Sequence, residues 1–171
     1  YFDNAATSQR VQTVLDEWNR ISSESNANIH RAVHRLADEA TQAYEGARDA
    51  VKEYLNAAVR EEIIFTSGTT AAVNLVAFCY GEAFVKEGDE VIVTEAEHHS
   101  NIVPWQMMCK RKGAVLKVLP VDDSGHLMIE KLEELITERT KIMAVTHISN
   151  VLGLINPVKE IIEKCHSRGV P

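Results

Sequence analysis

Glu62-Ile63-Ile64-Phe65-Thr66-Ser67-Gly68-Thr69-Thr70 is the stretch on which the fold turns. Its apolar, β-branched run predicts a short strand over 62–66, and Ser67 to Thr70 predicts a turn. From residue 71 to 84 the apolar positions Val73, Val76, Ala77, Tyr80 and Phe84 recur at helical spacing and are expected to face inward. Strand, polar turn and helix make the first unit of a βα alternation.

The alternation continues downstream. After the turn Gly88-Asp89, residues 90–94 read as a strand. Glu97-His98-His99-Ser100-Asn101 reads as a polar loop, with Ser100 or Asn101 placed to cap a helix over 102–112. A strand over 114–121, a turn at 122–125, a helix over 129–138, a strand over 141–147 and a helix over 157–168 closed by Gly169 follow. Strands alternating with helices imply an α/β fold, a mostly parallel sheet with flanking helices. Ligands of such sheets sit at the carboxyl ends of the strands. Three polar clusters fall there: 66–70, 97–101 and 147–150.

Upstream, residues 9–22 predict a weakly amphipathic helix and 23–35 an irregular polar segment. Residues 36–56 predict one long helix with Ala40, Tyr44, Ala47, Val51 and Leu55 on a single face, as core or dimer surface. The chain thus divides into an N-terminal helical and irregular segment, 1–57, and the first part of a larger domain, 58–171.

Composition narrows the class. Among 171 residues, 18 Lys and Arg against 25 Asp and Glu give a net charge of −7. With no long basic cluster, that argues against a nucleic-acid partner. No apolar run is long enough to span a bilayer, and the expected location is the cytoplasm. Cys79, Cys109 and Cys165 are far apart and odd in number, which disfavours a zinc site or a disulfide framework. Each reads as a small buried apolar residue in a reducing compartment. The chain ends at Arg168-Gly169-Val170-Pro171, where a strand should begin, and the expectation is a truncated chain.

The candidate site residues carry two readings each. Ser67-Gly68-Thr69-Thr70 lies between strand and helix, where free backbone N–H groups, the helix dipole and two hydroxyls suit an anion. It lacks the P-loop and dinucleotide glycine patterns, so a monophosphate fits better than a triphosphate; plain helix capping is the other reading. Glu97, His98 and His99 could supply a base, a metal ligand or a ring to stack on an aromatic cofactor. Adjacent histidines on an extended segment point opposite ways and no HExxH spacing is present, so a metal is disfavoured; a surface pair without function is the alternative. Asn150 could hydrogen-bond a ring substituent of a ligand or form an Asx turn. His30, Arg31 and His34 are exposed loop polarity on the residues alone.

Read together, these words resemble a known family. Tyr1-Phe2-Asp3-Asn4-Ala5-Ala6-Thr7, His30-Arg31 with Val33-His34-Arg35-Leu36, Phe65-Thr66-Ser67-Gly68-Thr69-Thr70, the run from Glu97 to Gln106, and Thr146-His147-Ile148-Ser149-Asn150-Val151-Leu152-Gly153 follow in the order of class V aminotransferase-fold enzymes. The run 97–106 is similar to the Suf-type (group II) cysteine desulfurases and selenocysteine lyases. Two positions depart from the pattern: Ala32, where many relatives carry glycine, and Ala71, where they carry glutamate.

The resemblance implies the N-terminal part of the large domain of a fold type I PLP-dependent transferase, with pyridoxal 5′-phosphate (PLP) as cofactor. Gly68, Thr69 and Thr70 would cradle the cofactor phosphate. His98 would stack on the pyridine ring and move protons, and Asn150 would contact the ring's phenolic oxygen. His30, Arg31 and His34 would lie near the substrate entrance. The implied reaction converts L-cysteine, or a similar small amino acid, to L-alanine and a persulfide, supplying iron–sulfur cluster assembly through a homodimer and a sulfur-acceptor protein. A selenocysteine lyase, another class V enzyme, or a non-catalytic fragment binding phosphate or a partner are the alternatives. A flavodoxin-like module fits the glycine pattern less well. The Schiff-base lysine, the Asp that pairs with the pyridine nitrogen and the sulfur-accepting cysteine are expected beyond Pro171, and none of the three cysteines matches the last role. The chain alone is therefore expected to be inactive.

The resemblance also implies a strand order. The 90–94 strand would pair with the strand at 115–120. The 62–66 and 141–147 strands would be flanked by strands beyond Pro171, leaving four strands of seven with gaps between them. Unpaired buried backbone groups cost roughly 1–3 kcal/mol each, so those two strands are expected to lack partners within the chain.

Overall fold

The computed structural model describes residues 2–31 and 33–171. Tyr1 of the opening motif and the Ala32 departure lie outside the described residues. The chain divides into two compact units, residues 1–65 and 66–171.

The first unit holds two helices, α1 (Gln12–Glu24) and α2 (Arg35–Tyr54). His34 caps α2, its Nδ1 accepting the Ala37 amide at 3.2 Å. Asp38 in the first turn and Lys52 in the last complement the helix dipole. Tyr44 sits edge-on to Phe65 at 5.5 Å. On the expected α2 face, Ala40, Tyr44 and Val51 are half-buried, while Ala47 and Leu55 are exposed. No residue of α1 is buried.

The 62–66 strand does not form. Arg60–Glu62 is a single 3-10 turn, and residues 63–66 belong to no sheet. Ile63 is buried, whereas Ile64 and Phe65 remain 65% and 43% exposed. An apolar run becomes a strand only where a sheet edge accepts it.

The second unit is built on one three-stranded parallel sheet of order β2-β1-β3. Its strands are β1 (Glu90–Thr94), β2 (Val115–Leu119) and β3 (Thr140–Ala144). The expected pairing of 90–94 with 115–120 is present, with Val91 opposite Leu116. The expectation that the 141–147 strand lacks a partner is wrong: β3 lies along β1, with Val91 opposite Ile142, and the three strands form one continuous sheet. The physical reason lies in β1, whose five residues are all buried, as suits the central strand of a parallel sheet covered on both faces. The other edge of β3 receives one bond, the Met143 amide donating to the Pro171 carbonyl at 3.0 Å.

Successive residues of β1 feed opposite layers. Ile92 joins Leu119, Leu132, Ile161 and Cys165 in one core. Val91 and Val93 join Ala77, Trp105, Met108 and Ile142 in the other. This second core lies under α3 (Thr69–Phe84) and α4 (Val103–Lys112). Gly81 lets these helices meet: a Cβ there would come within 2.5 Å of Met108 Cγ. Of the five α3 residues expected inward, Ala77 is buried and Val73 and Tyr80 are half-buried. Val76 and Phe84 are instead 46% and 58% exposed. Cys79, expected to be buried, is also exposed on α3.

The remaining helices are α5 (Leu132–Leu135) and α6 (Val158–Ser167). The helix expected over 129–138 is reduced to a 3-10 turn and the four residues of α5. It stops because Thr137 is captured: its amide donates to Thr140 Oγ1 at 2.9 Å and its hydroxyl to Glu90 at 2.6 Å. Among the described residues, no helix is long and apolar enough to cross a membrane.

Candidate functional site

The Tyr80 hydroxyl donates to the Lys141 carbonyl at 2.8 Å. This ties the second half of α3 to the amino end of β3 and turns the α3 N-terminus toward the carboxyl ends of the strands. Gly68 is the N-cap, at φ +150°, a conformation essentially restricted to glycine. Its own requirement is conformational, since a Cβ would meet nothing within 4 Å. Among the described residues no side chain caps the helix, so the amides of its first turn are left as donors. Thr69 and Thr70, placed by sequence in a turn, form that first helical turn, and both are exposed. The Thr66 hydroxyl donates to the Gly68 carbonyl at 3.1 Å across the turn. The result is an open, positively polarised N-terminus carrying two hydroxyls, suited to an anion.

The segment after β1 leads to a 3-10 turn, His99–Asn101, against which α3 packs. His98 precedes the turn and is exposed. Its Nδ1 accepts the Ser100 amide at 3.1 Å and lies 2.8 Å from Ser100 Oγ. An accepting Nδ1 makes Nε2 the proton-bearing nitrogen of the neutral ring. The rings of His98 and His99 are 6.1 Å apart and nearly perpendicular. The expected cap at Ser100 or Asn101 is not made: Ile102 is the N-cap of α4 and Pro104 stands in its first turn. Asn101 is spent elsewhere, accepting the Trp105 indole N–H at 3.1 Å and donating to Glu97 at 2.7 Å.

The sequence groups Glu97 with His98 and His99 as a possible base or metal ligand. The structure makes it a junction. It is 8% exposed, and its Oε1 accepts the Thr94 hydroxyl at 2.7 Å and the Thr146 amide at 2.6 Å. It thereby joins the exits of β1 and β3. Asn156, which sequence reasoning missed, is also buried. Its side chain donates to the Thr146 carbonyl at 2.8 Å and its amide to the His147 carbonyl at 2.8 Å. Ile148 and Ile155 close the intervening loop as an antiparallel bridge, with buried Ser149 accepting the Leu152 amide at 3.1 Å. Asn150 stands exposed in this loop. Only a buried polar residue between two strand ends would have signalled Glu97 or Asn156 in advance.

The other named residues belong to the first unit. His30 adopts φ +56°. Its Nε2 is 3.1 Å from Glu45, and its ring stands edge-on to Tyr44 at 6.2 Å. His34 is the α2 cap already described, and Arg31 is exposed. Cys109 and Cys165 are buried, and burial pushes both thiols up, away from the reactive thiolate. Among the described residues, no cluster of three His, Cys, Asp or Glu could hold a metal ion.

Comparison with known proteins agrees along the whole chain. The family model for class V aminotransferases matches residues 1–171. A probable cysteine desulfurase of Halalkalibacterium halodurans is 51% identical over 99% of this chain and 42% of its own length. The apo structure of a cysteine desulfurase from Thermococcus onnurineus superposes with a TM-score of 0.93 at 39% identity, covering 99% of this chain and 42% of that one. A third structure, described as SspA in complex with cysteine, gives a TM-score of 0.87 at 28% identity, covering 100% of this chain and 48% of that one. The chain spans between 25 and 42% of the length of the curated relatives it matches. A match from the first residue to the last, on a fold whose sheet and helices superpose with solved relatives, means that this chain belongs to the class V aminotransferase family.

Proposed function

We propose that this chain is the N-terminal part of a PLP-dependent cysteine desulfurase, which converts L-cysteine to L-alanine and retains the sulfur as a persulfide. The observation that carries the reading is the α3 N-terminus at Gly68, which no side chain among the described residues caps, with two exposed hydroxyls, on a fold whose relatives are cysteine desulfurases at about half identity. The whole protein would work as a cytoplasmic homodimer, hand its sulfur to an acceptor protein and feed iron–sulfur cluster assembly.

The residues present fit that cofactor. The phosphate would lie on the first-turn amides of α3 with the hydroxyls of Thr69 and Thr70, where dipole and donors both favour an anion. His98, held at Nδ1 by Ser100, would present its ring face to the pyridine and offer the Nε2 proton to the site. Asn150 would direct its amide to the phenolic oxygen, and His30, Arg31 and His34 would border the substrate entrance. Bound PLP supplies an electron sink for the carbon from which bonds are broken. The chain's own contribution is therefore to bind, orient and exchange a proton.

The test is alanine release from L-cysteine by the whole protein loaded with PLP. His98→Ala should retain the cofactor and lose about 10² to 10⁴ in turnover, the usual worth of a positioned proton-transfer group. A His98→Ala protein with unchanged turnover, or one that no longer holds PLP, contradicts the assigned role.

A further inference from the structure

We propose that Glu97 is a positioning residue of this site, and that it must be a carboxylate because the hydrogen-bond chain through it has a single possible polarity. The inference rests on the cofactor site proposed above. The chain of bonds begins at Trp105, 3% exposed, whose indole can only donate. It donates to Asn101 Oδ1 at 3.1 Å. That contact fixes the orientation of the Asn101 amide, so Nδ2 must donate onward, to Glu97 Oε2 at 2.7 Å. Glu97 Oε1 meets two further donors, the Thr94 hydroxyl and the Thr146 backbone N–H. The Thr146 carbonyl then accepts from Asn156.

Both oxygens of residue 97 must accept. A glutamine would turn its NH₂ either on Asn101 Nδ2 or on the Thr146 amide, and each arrangement sets donor against donor. Among the described residues, no Lys, Arg or His forms an ion pair with Glu97, so the carboxylate is not retained as half of a salt bridge. What it holds is the spacing of two strand exits. His98 follows Glu97 directly, and Asn150 lies on the loop that leaves Thr146. Glu97 is buried while His98 and Asn150 are exposed, so it acts on the site through them.

The experiment uses the whole protein with PLP. It reads the visible circular dichroism of the bound cofactor, the imidazole NMR signals of His98, kcat, and the melting temperature. Glu97→Gln should change the dichroism, shift the His98 signals and lower kcat roughly 10- to 100-fold, the scale of a small misplacement of catalytic groups. The double variant Glu97→Gln with Asn101→Asp restores an unbroken polarity, because the new carboxylate accepts from both the new amide and Trp105. It should recover most of the dichroism, the His98 signals and kcat. Wild-type dichroism, His98 signals and kcat in Glu97→Gln, or a lowered melting temperature alone, overturn the proposal, as does a double variant no better than the single. If Glu97→Gln does not fold, Thr94→Val, which removes one donor at nearly constant volume, should move the same signals in the same direction, and unmoved signals overturn the proposal. A wild-type protein that binds no PLP defeats the cofactor reading instead. The His98 signals, read without cofactor, then decide the positioning claim separately.

Discussion

The two ends of β1 each bury a glutamate, and they hold it in opposite ways. At the amino end Glu90 is 4% exposed and surrounded by cations and hydroxyls: Lys117 at 2.8 Å, Arg139 at 3.6 Å, and the hydroxyls of Thr137 and Thr140 at 2.6 and 3.2 Å. Burial alone would push its carboxyl up, but the bonds from Lys117 and Thr137 outweigh that and hold it below the ordinary value. At the carboxyl end Glu97 is nearly as buried, yet every partner is a neutral donor. The amino end answers the cost of burying charge with opposite charge and stitches all three strands together. The carboxyl end answers it with neutral donors alone, and exposed His98 follows next in sequence. On the function proposed above, one end serves stability and the other the site.

This contrast can be broken by experiment. The largest effect should be at the carboxyl end, where His98→Ala removes about 10² to 10⁴ in turnover with little change in melting temperature. His99→Ala should cost less, and equal losses would remove the distinction between the rings. At the amino end Lys117→Met should cost about 3 kcal/mol of stability, the lower edge for breaking a buried pair, because the Thr hydroxyls and Arg139 remain. It should leave turnover per folded molecule unchanged, as a denaturation curve beside an activity assay would show. Smaller still, Thr69→Ala and Thr70→Ala should each weaken PLP binding by roughly 1.5–3 kcal/mol through lost charge-assisted hydrogen bonds. The smallest effect is in the pH dependence. A carboxyl depressed in the folded state stabilises above its unfolded value, near about 4.3, and that stability fades as pH falls through the folded value. Glu90→Gln should therefore flatten the acid limb of the stability profile, and an unaltered limb would show that Glu90 is not a main contributor.

Much of the second unit was legible in the sequence because each element there has its own signal. The apolar run 90–94 is β1 to the residue, and the amphipathic stretch after Ser67-Gly68 is α3 with its start moved by two residues. Strand order was less legible, since pairing is a long-range choice. Burial of β1 on both faces does not say which strand lies beside it, and the order taken from resemblance left β3 without a partner. The 62–66 segment misled for the converse reason: its composition suits a strand, and nothing in composition reports whether an edge is available. At the site, the exposed residues Gly68, Thr69, Thr70, His98 and Asn150 stood out by type and position. The bonds of Glu97, Asn101 and Asn156 did not, because buried polar residues disclose their partners only once two distant strand ends are brought together.

The most direct test is one PLP titration of the whole protein in four forms: wild type, Thr69→Ala, Thr70→Ala and Lys117→Met. The account predicts affinity weakened by roughly ten- to a hundredfold in each threonine variant, the equivalent of the lost phosphate bonds, and unchanged in Lys117→Met. Threonine variants that bind as tightly as wild type, or a Lys117→Met protein that loses affinity to the same degree, would contradict the claim that the carboxyl end of this sheet is the cofactor site.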